Sequence, residues 1–586
     1  MFGRMLVSLL LATSFFSAIF ATQATTQKTA NSSAVPGNTG YVGSRTCAEC
    51  HQQIYASYSQ TDMGRSMSVP SQSLIKTIAS PIAVDHVRSN REFEVFVRDN
   101  QLFQSEFSIG TDGREIFRDT HKIEWIIGAG ANGFGAIVKR DDYLFEAPLS
   151  FYSKPGAWAL SPGYEFVDYG FSRPILPGCI ACHSGRPEAV SHGNGRFGNP
   201  PFAELAIGCE NCHGPGQKHV SEMLRAEPSG GGSATIVNPA KLSHWLADNI
   251  CMSCHQIGDA RVLQPDKDYR DFRPGTALKD TLAILTVPPS REKPLESDLL
   301  EHYFSMTLSK CYRSSGGRLG CITCHDPHVE PSASEAPAYF RGKCLSCHSE
   351  KSCVVPLTLR QRKNPPDDCA GCHMPKRDIK IISHSALTQH RIMAESGEAF
   401  PEVLPTIETP GLKYLNSVPG QDTPLSPLIL LEAYGQVMAS HPEYREKYWN
   451  LARQLKTAQP DNVAVLKALA DWATQQNRSE ARNAIEYLDS AIAHGDTSPT
   501  DYEELARLLM ANGRTSEVVK LLQRALQDLP YDAEYYRLLG KAFLNLSRAS
   551  EAHEILAKGA QIFPQDSGIR DLLKQADTSR TADARK

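Results

Sequence analysis

Cys47-Ala48-Glu49-Cys50-His51 is a phrase that the chain writes seven times. The other copies are Cys179–His183, Cys209–His213, Cys251–His255, Cys321–His325, Cys344–His348 and Cys369–His373, all C-x-x-C-H. That spacing is the attachment signal for c-type haem. Its two thiols can form thioethers to both vinyl groups of one porphyrin, and the following His can then meet the iron from the proximal side. Independent draws from this composition would give roughly 0.01–0.02 copies, whereas seven are present and use 14 of the 16 Cys. Zinc sites need two such pairs per metal, and thioredoxin-like pairs do not need the His. The sequence therefore predicts seven c-type haems. Cys47, Cys50, Cys179, Cys182, Cys209, Cys212, Cys251, Cys254, Cys321, Cys324, Cys344, Cys347, Cys369 and Cys372 are the anchors. His51, His183, His213, His255, His325, His348 and His373 are the proximal ligands.

Each motif supplies one axial ligand, so seven distal ligands must come from elsewhere. His86, His121, His192, His219, His244, His302, His328, His384 and His390 are the other His of the motif-bearing region. Spacing restricts the choice. His328 follows His325 by three residues, a reach of about 10 Å at full extension. Passing around a porphyrin edge needs roughly twice that, so His328 can serve only a neighbouring haem. His219, six residues after His213, is expected to behave in the same way. These two, with His384, His390, His302, His86 and His121, form the expected distal set, ahead of His192 and His244. Met63 and Met67 are expected as packing residues that could otherwise serve as Met ligands. Cys311 and Cys353 are left over, and in an exported chain they are expected to pair as a disulfide.

The chain reads as multidomain. Residues 1–24 carry a positive start at Arg4 and an apolar run, Met5–Phe20, as in a secretory signal peptide. Residues 25–40 read as a linker, and 41–395 as a loop- and helix-rich heptahaem cytochrome region. Within that region Phe93, Val95 and Val97 alternate with polar residues, and Thr111-Asp112-Gly113 signals a turn, so 82–151 reads as a small β-rich insertion. Gly128–Gly133 matches G-x-G-x-x-G, but strand-like sequence follows it and no ribose-binding acid is evident, so no dinucleotide site is expected. The Pro- and Gly-rich stretch that holds the last six motifs cannot bury much side-chain core, and porphyrins would supply the missing apolar surface.

Residues 396–427 read as a Pro-rich linker and 428–575 as an all-α tetratricopeptide-repeat domain, with 576–586 a disordered tail. Leu539-Gly540, Phe543, Ala552, Leu556 and Pro564 occupy repeat spacings, and Leu505-Ala506, Leu509, Leu522, Ala525 and Pro530 echo them 34 residues earlier. His441, His494 and His553 of that domain are expected at its surface. A formal charge of −4 argues against nucleic acid. No later stretch reaches about 18 consecutive apolar residues, so no membrane span is expected in the mature chain.

Tyr41-Val42-Gly43-Ser44, Ser161–Tyr164, Cys209–Gly216 with His219, Cys321–His328, and Cys369–Lys376 ahead of His384 and His390 resemble a bacterial family of exported multihaem cytochromes with tetratricopeptide repeats. The motif region of that family is similar to the group containing cytochrome c nitrite reductase and hydroxylamine oxidoreductase. Cys372–Lys376 and Thr388-Gln389-His390 look like the last haem site of the nitrite reductases. The resemblance implies a shared style of haem stacking, without the C-x-x-C-K motif those reductases use for catalysis. The expected function is electron transfer along seven close haems, in the periplasm or at the cell surface. The repeats would dock a redox partner protein or another copy. The alternative is a reductase of a small nitrogen or sulfur oxyanion at one open-coordinated haem.

Overall fold

The computed structural model describes residues 40–586, apart from 79, 87–90, 191–192, 226–234, 290–300, 377–387, 396–397, 400–408, 422, 477–479 and 584–586. The expected leader, almost all of the first linker, His192 and His384 lie outside the described residues, and of His86 only the backbone is described.

Alternation of apolar and polar residues builds one large antiparallel sheet. Its strands are β1 (Met67–Ser68), β2 (Ile82–His86), β3 (Arg91–Arg98), β4 (Gln101–Ile109), β5 (Glu115–Ile127), β6 (Gly133–Arg140), β7 (Tyr143–Glu146), β8 (Leu149–Tyr152), β9 (Ala157–Leu160) and β10 (Arg173–Pro174). The main path runs β10-β7-β6-β5-β4-β3-β2. Asp99 and Asn100 join β3 to β4 with φ of 49° and 58°, the left-handed pair that suits a two-residue hairpin. Gly128 (φ 107°) and Gly133 sit at the turn between β5 and β6, so the glycine-rich stretch is a hairpin and no helix opens from it. One face buries Phe93, Val95, Leu102, Ile123, Val138, Phe145 and Trp158. The layer outruns the expected 82–151 because β9 and β10 extend it.

Two smaller sheets follow. β11 (Arg186–Ala189) pairs with β12 (Phe197–Glu204), and β13 (Ala260–Leu263), β14 (Leu282–Thr286) and β15 (Lys413–Tyr414) form a third. β15 lies inside the stretch expected to be a linker. The next residues are also structural: the Asn416 side chain accepts from the Ile284 N–H (2.9 Å) and donates to the Leu282 carbonyl (2.7 Å). Pairing with β14 and this buried amide overrule the Pro-punctuated composition.

From Pro427 onward the described chain is helical hairpins, ending with Ala533–Asn545, Ala549–Ile562 and Ser567–Asp583. Gly540 lets two of them approach closely, since a Cβ there would lie 2.5 Å from Leu556 Cδ2. The last helix runs through most of the expected disordered tail, because Ile569 and Ala576 bury completely in the repeat core.

Both ends of this helical array are fixed on the rest of the chain. At the near end Ile429, Leu431, Val437 and Trp449 share a core with Val262 and Leu285, and Gln436 exchanges two hydrogen bonds with the Arg261 backbone (2.9 and 3.0 Å). At the far end Arg140, on β6, donates to the Ile562 carbonyl (2.9 Å) and lies 4.4 Å from the Tyr531 ring centre. Tyr531 donates to Asp141 (2.6 Å), Tyr143 donates to the Asp528 carbonyl, and Arg91 reaches the Gln565 carbonyl (3.0 Å). Arg91 also pairs with the fully buried Glu106 and, at 3.2 Å, with Asp168.

Candidate functional site

Six of the seven motifs begin on helical turns, such as Ser44–Ala48, Pro177–Ile180, Cys209–His213, His244–His255, Cys321–Cys324 and Cys369–His373. Cys344 lies near the end of the helix Ala336–Leu345. Helical spacing puts residues i, i+3 and i+4 on one face, so C-x-x-C-H presents both thiols and the imidazole together. Short side chains cap these turns. Asp368 accepts from the Gly371 N–H (2.9 Å), and Asn211 accepts from the Gly208 N–H (2.8 Å).

The imidazoles come together in pairs from distant parts of the chain. The rings of His51 and His219 lie 6.4 Å apart, centre to centre, with planes 16° from parallel. Those of His213 and His328 lie 5.9 Å apart at 14°. His325 faces His390 at 6.2 Å and 30°, and His255 faces His302 at 5.3 Å and 73°. Two imidazoles on one iron, with metal–nitrogen bonds of about 2.0 Å, have ring centres about 6 Å apart. The first three pairs match that span and the fourth is shorter. His302 and His390 also touch, at 4.5 Å.

The tautomers suit metal binding. Nδ1 of His213 lies 2.8 Å from the Val237 carbonyl, that of His373 2.6 Å from Met393 O, and that of His390 2.9 Å from Thr388 O. A carbonyl only accepts, so each Nδ1 carries the proton and each Nε2 keeps its lone pair. Burial, reinforced by the imidazoles of His390, His255 and His325, holds His302 down to about 3, which keeps it neutral. The donor set and its spacing therefore fit haem iron.

The motifs also adjoin one another. Thiols interact between Cys47 and Cys209, Cys182 and Cys254, Cys251 and Cys321, and Cys344 and Cys369. The Phe340 ring, four residues ahead of Cys344, lies 5.3 Å from His325. The motifs thus make a connected series that ends with the sixth and seventh.

Three carboxylates, two of them buried, hold this series in register, and the sequence reading did not single them out. Glu210, inside the third motif, accepts from the backbone N–H groups of Val42 (3.0 Å), Gly43 (2.8 Å) and Gly216 (2.7 Å). It clamps the entry to the first motif onto the third. Asp248 accepts from the Cys321 N–H (2.8 Å), fixing the fifth motif to the fourth. Glu301, beside His302, accepts from Gly258 (3.0 Å), Gln256 (2.7 Å) and Ile257. An acid at an x position of the third motif was the available signal.

Other candidates have different surroundings. His121 stands on β5 with Nε2 2.8 Å from an Asp119 oxygen and its ring on Phe171 at 4.5 Å. The sheet gives it a carboxylate neighbour. Met67 is buried with Ile137, Leu144 and Ile175, a packing role. His244 begins the fourth motif's helix and abuts Gly320, at the entry to the fifth. Cys311 and Cys353 are both free thiols, so the expected disulfide does not form. Cys311 instead lies near the motif thiols Cys324, Cys344 and Cys347, and burial pushes its own thiol up. His553 in the repeats pairs with Asp577 (2.8 Å). Among the described residues, no helix is long and apolar enough to cross a membrane.

Comparison with known proteins gives two separate likenesses. A tetratricopeptide-repeat family model matches residues 509–576. Over 201 residues the chain is 23% identical to the multiheme cytochrome MtrA of Shewanella baltica (strain OS185), a match covering 32% of this chain and 56% of that relative's length. Among solved structures, the outer cell wall cytochrome OcwA aligns with 84% of this chain and 100% of its own, at 16% identity and a TM-score of 0.37. The protein MamA aligns with 26% of this chain and 83% of its own, at 19% identity and a TM-score of 0.24. The chain carries tetratricopeptide repeats and is similar in sequence to a multihaem cytochrome.

Proposed function

We propose that this chain is an exported electron-transfer cytochrome carrying seven c-type haems. The observation that carries the reading is the pairing of motif imidazoles with distant imidazoles at the span of one iron, above all His51 with His219 and His213 with His328. When bound, haem would supply one-electron ferric/ferrous chemistry. The chain's own residues hold and orient it. The paired Cys anchor each ring, and His51, His183, His213, His255, His325, His348 and His373 are the proximal ligands. His219, His328, His390 and His302 complete the irons of His51, His213, His325 and His255. Three of these distal residues follow the motif two places downstream, so neighbouring sites interlock. His86 and His384 remain assigned to the other irons. Two strong ligands on an iron favour electron transfer over substrate binding. The thiol-rich motifs and apolar leader support attachment outside the cytoplasm. The repeat array braces the haem region and offers its remaining surface to a partner or to another copy.

Electron paramagnetic resonance of the oxidised protein, with haem quantified alongside, tests this. Seven low-spin haems are expected, and His219→Ala, His328→Ala and His390→Ala should each convert one haem to high spin. A wild-type high-spin haem that responds to nitrite or hydroxylamine would replace this reading with a reductase.

A further inference from the structure

The helix Gln52–Tyr58 starts directly after His51. Tyr58, its last residue, stands two turns further along the same face, about 10 Å from His51. There its ring meets His328 nearly edge-on, with centres 6.4 Å apart and planes 68° from parallel. Tyr58 is 9% exposed, and polar bonds hold it at both ends. Its hydroxyl donates to the Ile207 carbonyl (2.9 Å). Its own carbonyl accepts from the N–H and the hydroxyl of Thr61 (2.9 and 2.7 Å). The Ile207 N–H in turn donates to Ser66 (3.1 Å), whose hydroxyl donates to the His183 carbonyl (2.8 Å). The ring is therefore fixed to the backbone on either side of it.

His328 has local support as well, but of another kind. The Asp326 carboxylate accepts from the His328 N–H (3.0 Å) and lies 3.4 Å from its Nδ1. That sets the turn and leaves Nε2 for a metal. A carboxylate at one ring atom leaves the plane of the imidazole free to turn. The second tie to this loop comes from the same distant segment as Tyr58, since the Asp62 N–H donates to Glu330 (3.0 Å). Residues 58–62 thus hold residues 328–330 at two points. Held there, the His328 ring lies 14° from the plane of His213.

We infer that Tyr58, with Asp62, is the positioning clamp for His328, its ring fixing the plane of the imidazole that completes the iron of His213. This rests on the electron-transfer reading and deepens it: a distal ligand that cannot swing away keeps that iron closed to other ligands. Tyr58 touches the ligand and not the iron, so it is a positioning residue. Through the helix Gln52–Tyr58 the first and third sites become one unit.

The test compares holoprotein variants by electron paramagnetic resonance of the oxidised state and by cyanide titration, with haem content measured for each. The angle between two axial imidazole planes sets the shape of a ferric low-spin signal, which a general loosening of the fold would not move selectively. In Tyr58→Leu one signal of near-parallel planes should shift toward that of crossed planes, and one haem should bind cyanide about 10-fold more tightly. Tyr58→Phe, which keeps the ring, should retain the wild-type signal. Glu330→Ala, at an exposed position, should move the same signal by less. His328→Ala identifies that signal by turning it high-spin. Unchanged signals in Tyr58→Leu and Glu330→Ala would overturn the clamp, as would a change in Tyr58→Phe as large as in Tyr58→Leu. Should Tyr58→Leu lose haem, Glu330→Ala decides alone. No effect of His328→Ala would instead fail the distal-ligand reading, and the clamp with it.

Discussion

The helices Thr515–Asp528 and Ala336–Leu345 are each a few turns long, yet they meet the rest of the molecule differently. The first buries Val518, Val519, Leu522 and Ala525, and its neighbours Ala533–Asn545 and Ala549–Ile562 do likewise. The second buries nothing, and neither do Lys310–Ser314, Cys321–Cys324, Leu357–Arg360 or Cys369–His373. The repeats are stabilised by side chain on side chain, at roughly 25 cal/mol per Å² of apolar surface removed from water. The segment around the last three motifs has short turns, caps and the Arg341–Asp367–Arg360 network. The contrast teaches that the two regions are not held together in the same way: on the proposed haem reading, porphyrin would supply the apolar filling that the second lacks. The described residues of 244–308 lie between these extremes, since Met252, Leu278, Ile284, Tyr303 and Phe304 form a core of their own.

Removing the filling should break the contrast most severely. With Cys344, Cys347, Cys369 and Cys372 all changed to Ala, amide hydrogen exchange should show loss of protection across 336–373, with 499–583 unaffected. Equal protection in both regions would mean that the segment folds without haem. Leu556→Ala, in the repeats, removes the side chain that packs on Gly540. It should cost about 3 kcal/mol in denaturant unfolding while the haem absorbance stays unchanged, and a haem-linked transition that moves with it would show the two regions unfolding together.

Glu210→Gln tests the clamp between the first and third motifs. Loss of charge-assisted bonds to Val42, Gly43 and Gly216 should cost about 2 kcal/mol and alter the resonance signal of the His51–His219 haem. An unchanged signal and melting point would reduce Glu210 to a spectator. The smallest effect concerns the junction between sheet and repeats. Burial, aided by Asp168 and opposed by Arg91, pushes Glu106 up to about 8. The folded state therefore binds a proton that the unfolded state releases near pH 4.5, so stability falls as pH rises from about 4.5 to about 8. Glu106→Gln should flatten that slope in thermal melts, and an identical slope in the variant would assign it to other groups.

The parts legible in the sequence were those with local causes. The period-2 alternation at Phe93, Val95 and Val97 gave the insertion, and the reach of three residues excluded His328 from the iron of His325. The repeat spacing around Gly540 matched a helix crossing. Long-range packing was not legible. Nothing in Lys413–Tyr414 announces a strand, because its partner Leu285 lies far away in the chain. Arg140 and Tyr143 read as ordinary strand residues until Tyr531 and Ile562 are set against them. The pairing of His51 with His219 follows no local rule, and Glu210 was not singled out because the backbone groups it holds, at Val42 and Gly43, lie far away in the chain.

Tetratricopeptide arrays behave as springs, because each repeat touches only its neighbours and small rotations add along the stack. Here the stack is held at both ends by its own chain, at Gln436–Arg261 and again at Arg140, Tyr143 and Arg91. A spring held at both ends cannot lengthen without pulling on its mounts. In mechanical terms the repeats are a brace whose fixed span sets how far apart the large sheet and the β13–β14–β15 hairpin layer can move.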